Sequence, residues 1–402
     1  MTAMETTLLR PAQTVPVRSR ADVLVVGAGP AGIGAAVTAA RAGAKVVLVE
    51  EGGKLGGMWT LGLVSPFFDS VRKEGLNAEI RAKLAERGAW GGLWDIAFDP
   101  VEMELLLDEL VLGAGVDALL YTRAVAPVVE GGAVVGAFLE NKSGASAVLA
   151  DRVIDCTGDA DLAAAAGVPF DIGAPENGAA QPMTLMFRIA GVRDDYPRDD
   201  TTAWFAEILR KLGRERTLSG IPFARPAIIR IPGGHGDALL QWTHVYSVSG
   251  TDAEQKSAAT FEARRQVRAA QAFLREARDV LGDVRITALP SVIGVRESRR
   301  IHGEATVTDD DVREGRRHSD DVCTVLFNSD IHNTGDSGQT CIRHDGFGIP
   351  FGALVPVGIR RLLVAGRPIS GSFLAHAAYR VTGNCLATGE AAGRAAAARP
   401  TR

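Results

Sequence analysis

The chain has 402 residues, 46% of them apolar and 23% charged, with a formal net charge of −4. That length suits two lobes better than one core, and the slightly acidic balance leaves no basic footprint for nucleic acid or an anionic membrane surface. The short clusters Arg299-Arg300 and Arg316-Arg317 read as solvated charge. Cys156, Cys323, Cys341 and Cys385 are far apart with no C-x-x-C pair, which excludes a thiol relay or zinc knuckle and fits buried free thiols in a reducing cytoplasm.

Residues 1–20 have no apolar core of a secretory signal and read as a disordered leader. Residues 21–40 match a bilayer span in length, but their glycines, alanines and central proline fit a buried strand, turn and helix better, so a soluble, cytoplasmic protein is expected. Residues 22–26 predict a strand, 30–42 an alanine-rich helix stopped by Gly43, and 45–49 a second strand ending at Glu50: a βαβ unit. Dense glycine over 52–62 marks a loop that approaches something closely. An amphipathic helix is expected over 99–112, with Asp99 as cap and Pro100 in the first turn. Residues 117–155 alternate, with turns at Gly131-Gly132 and Ser143-Gly144, as in a small antiparallel meander.

Composition changes after Phe170. Residues 171–345 hold most of the histidines and tryptophans and a long polar helix (about 252–281), and are assigned to a substrate-facing domain. From 346 to 402 the earlier pattern returns, with a buried strand over 362–364 running into Ala365-Gly366 and a small-residue helix over 382–398. The predicted fold class is α/β: a Rossmann-like domain (21–170 with 346–402) with a central parallel sheet and a small antiparallel meander, and an inserted α+β substrate domain.

Gly27-x-Gly29-x-x-Gly32 follows an apolar strand and opens a helix. The first glycine permits the turn, the second lets backbone approach a pyrophosphate, and the third, with Ala36, allows helix and strand to pack closely. The helix N-terminus adds free N–H groups and a positive dipole end. Glu50 ends the next strand, placed to accept hydrogen bonds from a ribose diol.

A second unit of this kind appears about 330 residues later, at Val364-Ala365-Gly366-Arg367. The runs VVGAGPAGIGAA, VVLVEEGGKLGGMWTLG, GIPFGALVP and RRLLVAGRPISGSFLAHAAYRVTGNCLATGEAAG, with Thr157-Gly158-Asp159, Gln181-Pro182-Met183-Thr184 and Gly294-x-Arg296-Glu297-Ser298, carry a resemblance. They look like the FAD-dependent oxidoreductases of the two-dinucleotide-fold type, related to glutathione reductase and fumarate reductase flavoproteins. The resemblance implies FAD as cofactor. It places Gly27, Gly29, Ala31 and Gly32 at the pyrophosphate and Glu50 at the adenosine ribose. Lys54, Gly57 and Met58 would line the path to the flavin, and Val125 would meet the adenine edge through its backbone, with Thr157 and Gly158 nearby. Gly366 would approach the ribityl and pyrophosphate region, and Thr382, Gly383 and Asn384 the pyrimidine edge of the ring.

His376 and Arg380 resemble the histidine–arginine pair that clamps a substrate carboxylate in fumarate-reductase-like flavoproteins; the bland alternatives are a turn-capping histidine and a structural ion pair. Arginine's planar fork suits a carboxylate, and a histidine can shuttle a proton. Arg296, after an apolar run, is the third catalytic candidate. Phe351-Gly352 departs from the relatives' aromatic–arginine pair and puts a second clamp in doubt. Asp330, His332, Cys341 and His344 match no tight ligand spacing, so no metal is expected; His235, His244, His302 and His318 have no partner that the sequence names.

No second G-x-G-x-x-G lies within 171–345, so no NAD(P)H domain is expected. Gly366-Arg367, where aromatic hydroxylases carry Gly-Asp, weighs against a monooxygenase. The expected activity is a dehydrogenase or reductase moving a hydride between flavin N5 and a small substrate bearing a carboxylate or carbonyl. The rival readings are a flavin monooxygenase or oxidase, and a protein with a structural or sensing FAD. The electron partner and oligomeric state stay open.

Overall fold

The computed structural model describes residues 12–193, 195, 201–211, 213, 220–222, 226–234 and 236–398. Residues 1–11 of the expected leader and His235 lie outside them. The first part of the chain forms β1 (Val17–Val26), α1 (Pro30–Arg41), β2 (Val46–Val49), α2 (Pro100–Gly113), β3 (Asp117–Leu119), β4 (Arg123–Glu130), β5 (Ala133–Asn141) and β6 (Gly144–Asp155). The middle forms β7 (Phe187–Ala190), β8 (Ala227–Arg230), β9 (Ala238–Gln241), the long helix α3 (Ala253–Glu276) and β10 (Arg285–Ala288). The chain returns through β11 (Asp321–Val325), β12 (Ser329–His332), β13 (Gln339–Ile342), β14 (Phe347–Pro350), β15 (Leu362–Val364), α4 (Phe373–Tyr379) and α5 (Thr382–Ala397).

The main sheet runs β3-β2-β1-β6-β5-β4, with β15 also on β6. β1 is parallel to β2 and to β6, and β15 is parallel to β6. β4, β5 and β6 form the antiparallel meander. β6 serves two partners in turn: its first half pairs with β5, and Val153, Ile154 and Asp155 pair with β15. Val23, Leu24 and Val25 are fully buried, as expected of a strand covered on both faces.

Two boundaries differ from the sequence expectation. β1 begins at Val17, inside the expected leader, because Ser19 to Ala21 find ladder partners on β6 at Val148 to Ala150. Before Ala21 this stretch is polar and exposed or half-buried, so no apolar pattern marks it. The second boundary is the end of the inserted domain. The antiparallel sheet β8-β9-β7-β10 and α3 share a core running from Met183 to Val295. Val307, Val312 and Val325 instead pack into the first lobe's core, and β11 pairs with β14. Residues 299–345 therefore belong structurally with the first lobe; their sparse apolar pattern hides this.

The ends of the chain meet where α1 packs on α5. A Cβ at Gly389 would sit 2.0 Å from the Ala31 carbonyl oxygen, and one at Gly393 would sit 2.4 Å from that of Ala35. The helices touch backbone to backbone, which only glycine permits. Gly389→Ala is expected to cost about 3 kcal/mol by overpacking and lower the melting temperature by several degrees, read by calorimetry.

Candidate functional site

Val26, Val49, Asp155 and Val364 end four parallel strands at one level of the sheet. In an open α/β sheet this carboxyl edge is where ligands bind. The residues that follow, Gly27, Glu50, Cys156 and Ala365, with Gly366, line a cleft of about 370 Å³. Its floor is the turn into α1. Gly27 takes φ +91°, and a Cβ there would strike the Cys156 carbonyl oxygen at 2.5 Å. A Cβ at Gly32 would strike the Gly27 carbonyl oxygen at 1.8 Å, so Gly32 closes the strand–helix turn and does not line the cleft. Gly29 differs: a Cβ there meets nothing within 4 Å. It faces the open cleft at the α1 N-terminus, with room for a phosphate against bare backbone.

Glu50 is buried at 7% exposure, one oxygen accepting from Ala28 N at 2.8 Å and the other from Gly52 N at 2.7 Å. Burial pushes its carboxyl up, against those two amides. Asp155 is fully buried and holds Thr157 by its amide and hydroxyl and Ala163 by its amide, which sets the loop carrying Thr157 and Gly158 on the cleft wall.

Among the expected ligand residues, Gly27, Gly29, Ala31, Glu50, Gly57, Met58, Thr157, Gly158 and Gly366 line this cleft. Lys54 does not; its ammonium pairs with Glu104 at 2.7 Å on the surface. Val125 does not either. Its neighbour Ala124 does, while Val125, one residue on in β4, is 41% exposed, as strand alternation dictates.

A second cavity of about 680 Å³ adjoins the first; Pro30, Met58, Val295, Arg367 and Cys385 border both. Thr382 borders the second cavity, while Asn384 is fully buried. Gly383 has a packing reason: a Cβ there would lie 2.6 Å from the Phe68 carbonyl oxygen. Thr382 Oγ1, Asn384 Oδ1 and Arg380 Nε are buried without hydrogen-bond partners. Such orphaned polar atoms are costly unless a ligand satisfies them, and they cluster at the start of α5, where the cleft opens into the second cavity. Of these, the Thr382 hydroxyl, at the start of α5 and on the cavity border, fits the polar edge of a flavin.

Arg296 and Arg380 both border the second cavity, and Arg380 lies beside the Asp330 carboxylate. Arg380 Nη2 lies 3.6 Å from Asp330 Oδ2 and donates to the Asp330 carbonyl oxygen at 2.9 Å. Arg296 Nη1 donates to the Pro182 carbonyl oxygen at 2.6 Å and to Thr184 Oγ1 at 2.7 Å. Burial, then the like charge of Arg380, pulls Arg296 down to about 9, so it stays charged at neutral pH. Arg367 is already paired with Asp159 at 3.0 Å. Arg296 is thus held by neutral oxygens only and, among the described residues, has no ion-pair partner. Arg299 and Arg300 serve structure: Arg299 pairs with Asp161, and Arg300 with buried Glu297.

His376 does not reach this space. It is 1% exposed, lies edge-on to Tyr379, borders neither cavity, and its Nδ1 has no hydrogen-bond partner. Arg380, the C-cap of α4, keeps helical backbone angles with its amide on the His376 carbonyl, and it borders the second cavity while His376 does not. Burial, then the charges of Arg300 and Arg380, holds His376 well below the usual histidine range.

A buried chain of side chains that sequence spacing does not reveal runs from Asp330. Asp330 Oδ2 lies 3.3 Å from His332 Nε2, His332 Nδ1 lies 3.0 Å from His244 Nε2, and His244 Nδ1 lies 3.5 Å from Thr184 Oγ1. Burial and then the Arg296 charge lower His332 to about 4, against the pull of Asp330. Burial and the same arginine lower His244 further. Both rings are neutral at pH 7. Although burial would raise it, Asp330 is held below the usual carboxylate range by His332 and Arg380. Cys341, expected to be buried, is exposed on the β12–β13 hairpin and borders the cavity.

A central sheet with parallel strands and a glycine-lined cleft at their carboxyl ends, opening into a second cavity that carries two arginines, defines a dinucleotide-dependent enzyme. The chain belongs to the FAD dependent oxidoreductase family, whose profile matches residues 22–400, and its cofactor is FAD. Its fold is similar to that of the flavin-dependent brominase Bmp2 (12% identity, 94% of this chain and 79% of that one, TM-score 0.51). It is likewise similar to a geranylgeranyl bacteriochlorophyll reductase-like protein from Thermoplasma acidophilum (18% identity, 94% and 77%, TM-score 0.50). At such identities the likeness speaks for fold alone. Over 36 residues the chain is 64% identical to sarcosine oxidase subunit alpha of Rhizobium meliloti, a stretch covering 9% of this chain and 4% of that relative. Over 43 residues it is 58% identical to thiamine thiazole synthase of Aeropyrum pernix, covering 11% and 16%. The matches thus span small fractions of those relatives. Among the described residues, no helix is long and apolar enough to cross a membrane.

Gly29→Ala has space for its methyl group, so the apoprotein should melt as the wild type does. The Kd for FAD, measured by fluorescence titration, should rise on the order of tenfold as phosphate hydrogen bonds lengthen. The neutral histidines have a pH consequence. His332 titrates near 4 when folded and near 6.5 when unfolded, so the unfolded chain takes up the proton first. Stability is therefore lost as pH falls from 6.5 towards 4. Melting temperature should drop across that window, and less steeply in His332→Gln.

Proposed function

We propose that this enzyme is an FAD-dependent dehydrogenase or reductase acting on a small organic anion bound in the second cavity. One observation carries the reading: Arg296 is held only by the neutral oxygens of Pro182 and Thr184 while Asp330 lies beside Arg380, which leaves one positive charge without an ion pair in the cavity beside the cofactor cleft. A buried cation is costly unless paired, and a substrate carboxylate or enolate would supply the partner.

In this reading Gly27, Gly29 and Ala31 hold the FAD diphosphate and Glu50 its ribose. Ala124, Thr157 and Gly158 flank the adenosine end, Gly366 the middle, and Thr382, Asn384 and Met58 the ring end. When bound, FAD supplies the two-electron chemistry, exchanging a hydride with a substrate carbon at the ring N5. The protein does the rest. Arg380, whose Nε is free for a new partner, anchors the anion in a fork. Arg296 adds a second donor and stabilises charge that develops on the substrate oxygen. Neutral His332, against Asp330 on one side and 3.0 Å from His244 on the other, holds in place the carboxylate that lies beside Arg380. The α5 N-terminus favours negative charge on the ring edge it faces. Arg367, tied to Asp159, stands where the flavin hydroxylases carry an acid, which weighs against the oxygen-using alternative.

Arg380→Met should retain FAD at wild-type occupancy while kcat/KM falls on the order of 100-fold. Anaerobic titration with carboxylate metabolites, watching the flavin band bleach, finds the substrate. Wild-type turnover in Arg380→Met would defeat the proposal.

A further inference from the structure

Part of the lining of the second cavity is aromatic. Phe68, Trp94 and Phe327 all border the cavity, with Met58, Val64 and Met186 beside them. The ring centroids of Phe68 and Phe327 are 5.1 Å apart at 54°, and those of Phe68 and Trp94 are 6.5 Å apart at 51°. Phe68 and Phe327 are half-buried, and Trp94 is 58% exposed, whereas Trp59 and Trp242 are fully buried. These rings are not spare parts of a core.

They are also fixed in place. Asp69 Oδ2 accepts from the amides of Leu326 and Phe327 at 2.8 and 3.2 Å, so the segments carrying Phe68 and Phe327 are tied together. Asp69 is itself held by Lys73 in a buried ion pair at 2.9 Å. The Phe68 carbonyl oxygen accepts from Gly383 N at 3.0 Å, which anchors the wall to the start of α5. Trp94 sits on a strained loop: Gly91, Gly92, Trp94 and Asp95 all take positive φ. Leu93 is buried against Ile229, Ile231 and Leu239 of the second lobe. Left-handed backbone at two successive non-glycine residues costs of order 1–3 kcal/mol each and persists where the surroundings impose it, chiefly at ligand sites. Here it presents an indole at the cavity rim.

We propose that the substrate is an aromatic or conjugated planar carboxylate, its ring against Phe68, Trp94 and Phe327 and its charged group on Arg296 and Arg380. This deepens the reading above and rests on it. Charge complementarity selects the anion, and the pinned aromatic wall selects a flat π face over a flexible aliphatic chain. Offset or edge-on ring contacts add about 0.5–1.5 kcal/mol beyond the area they bury. Two such contacts separate an aromatic acid from its saturated analogue by on the order of tenfold in Kd.

The test uses the FAD-loaded protein with benzoate, cyclohexanecarboxylate and succinate as probes, followed by shifts of the flavin band and by tryptophan fluorescence. Benzoate is expected to bind on the order of tenfold more tightly than cyclohexanecarboxylate. In Trp94→Leu and in Phe327→Leu that ratio should fall towards one, with FAD occupancy and melting temperature unchanged. Equal affinities for benzoate and cyclohexanecarboxylate, or tighter binding of succinate, each lost in Arg380→Met, would overturn the aromatic assignment and leave the anion reading standing. If none of the three binds and Arg380→Met turns over normally, both fall. Loss of FAD from Trp94→Leu and Phe327→Leu alike would show that the wall covers the cofactor, and would likewise overturn the proposal.

Discussion

Everything in this enzyme depends on β6 accepting a parallel neighbour on each side, so that the strand ends of β1, β6 and β15 come level. That register brings a turn near residue 27, a loop near residue 157 and a turn near residue 366 to one edge, and a single cleft results. The arrangement holds because α1 and α5, from opposite ends of the chain, approach at glycine-only distance through Gly34, Gly389 and Gly393. A larger residue there would push α5 outward and take with it Thr382, Asn384 and the end of α4. The same glycines that look like weak helix formers are therefore the joint of the cofactor domain.

From that joint the second cavity follows. α5 begins where the cleft ends, and Arg380 lies two residues before it, so the cleft and the cavity that holds the arginine pair share a border. The cavity is electrostatically unbalanced, and burial sharpens the imbalance: it lowers Arg296 and keeps His332 and His244 uncharged. A neutral histidine pair beside two cations is a stable arrangement only because neither ring has to carry charge. The acid Asp330 is shared among Arg380, His332 and Gln339, which leaves it little capacity to neutralise Arg296.

The legible part of the site is the part encoded locally. The Gly27, Gly29 and Gly32 spacing, the apolar runs of β1 and β2 and the acid at Glu50 are properties of about 30 consecutive residues, and each has a place in or under the cleft. Placement failed where direction or distant partners decide. Ala124 and Val125 are adjacent but point to opposite faces of β4. Lys54 finds Glu104, fifty residues away. His376 and Arg380 share a helical spacing, yet only Arg380 borders the second cavity. His244 and His332, 88 residues apart, carry no sequence signal at all. Nor do Phe68, Trp94 and Phe327, which read singly as ordinary apolar residues.

By itself, the sequence determined the α/β class, the dinucleotide turn and the family, because these rest on short-range periodicity and on glycines required by backbone contact. Only the tertiary structure decided that residues 299–345 join the first lobe, that His376 is sealed away, and that two arginines, a histidine pair and an aromatic wall enclose one cavity. Such convergence depends on the orientation of side chains brought together across 100 residues or more, and orientation is set by packing, which no local pattern records.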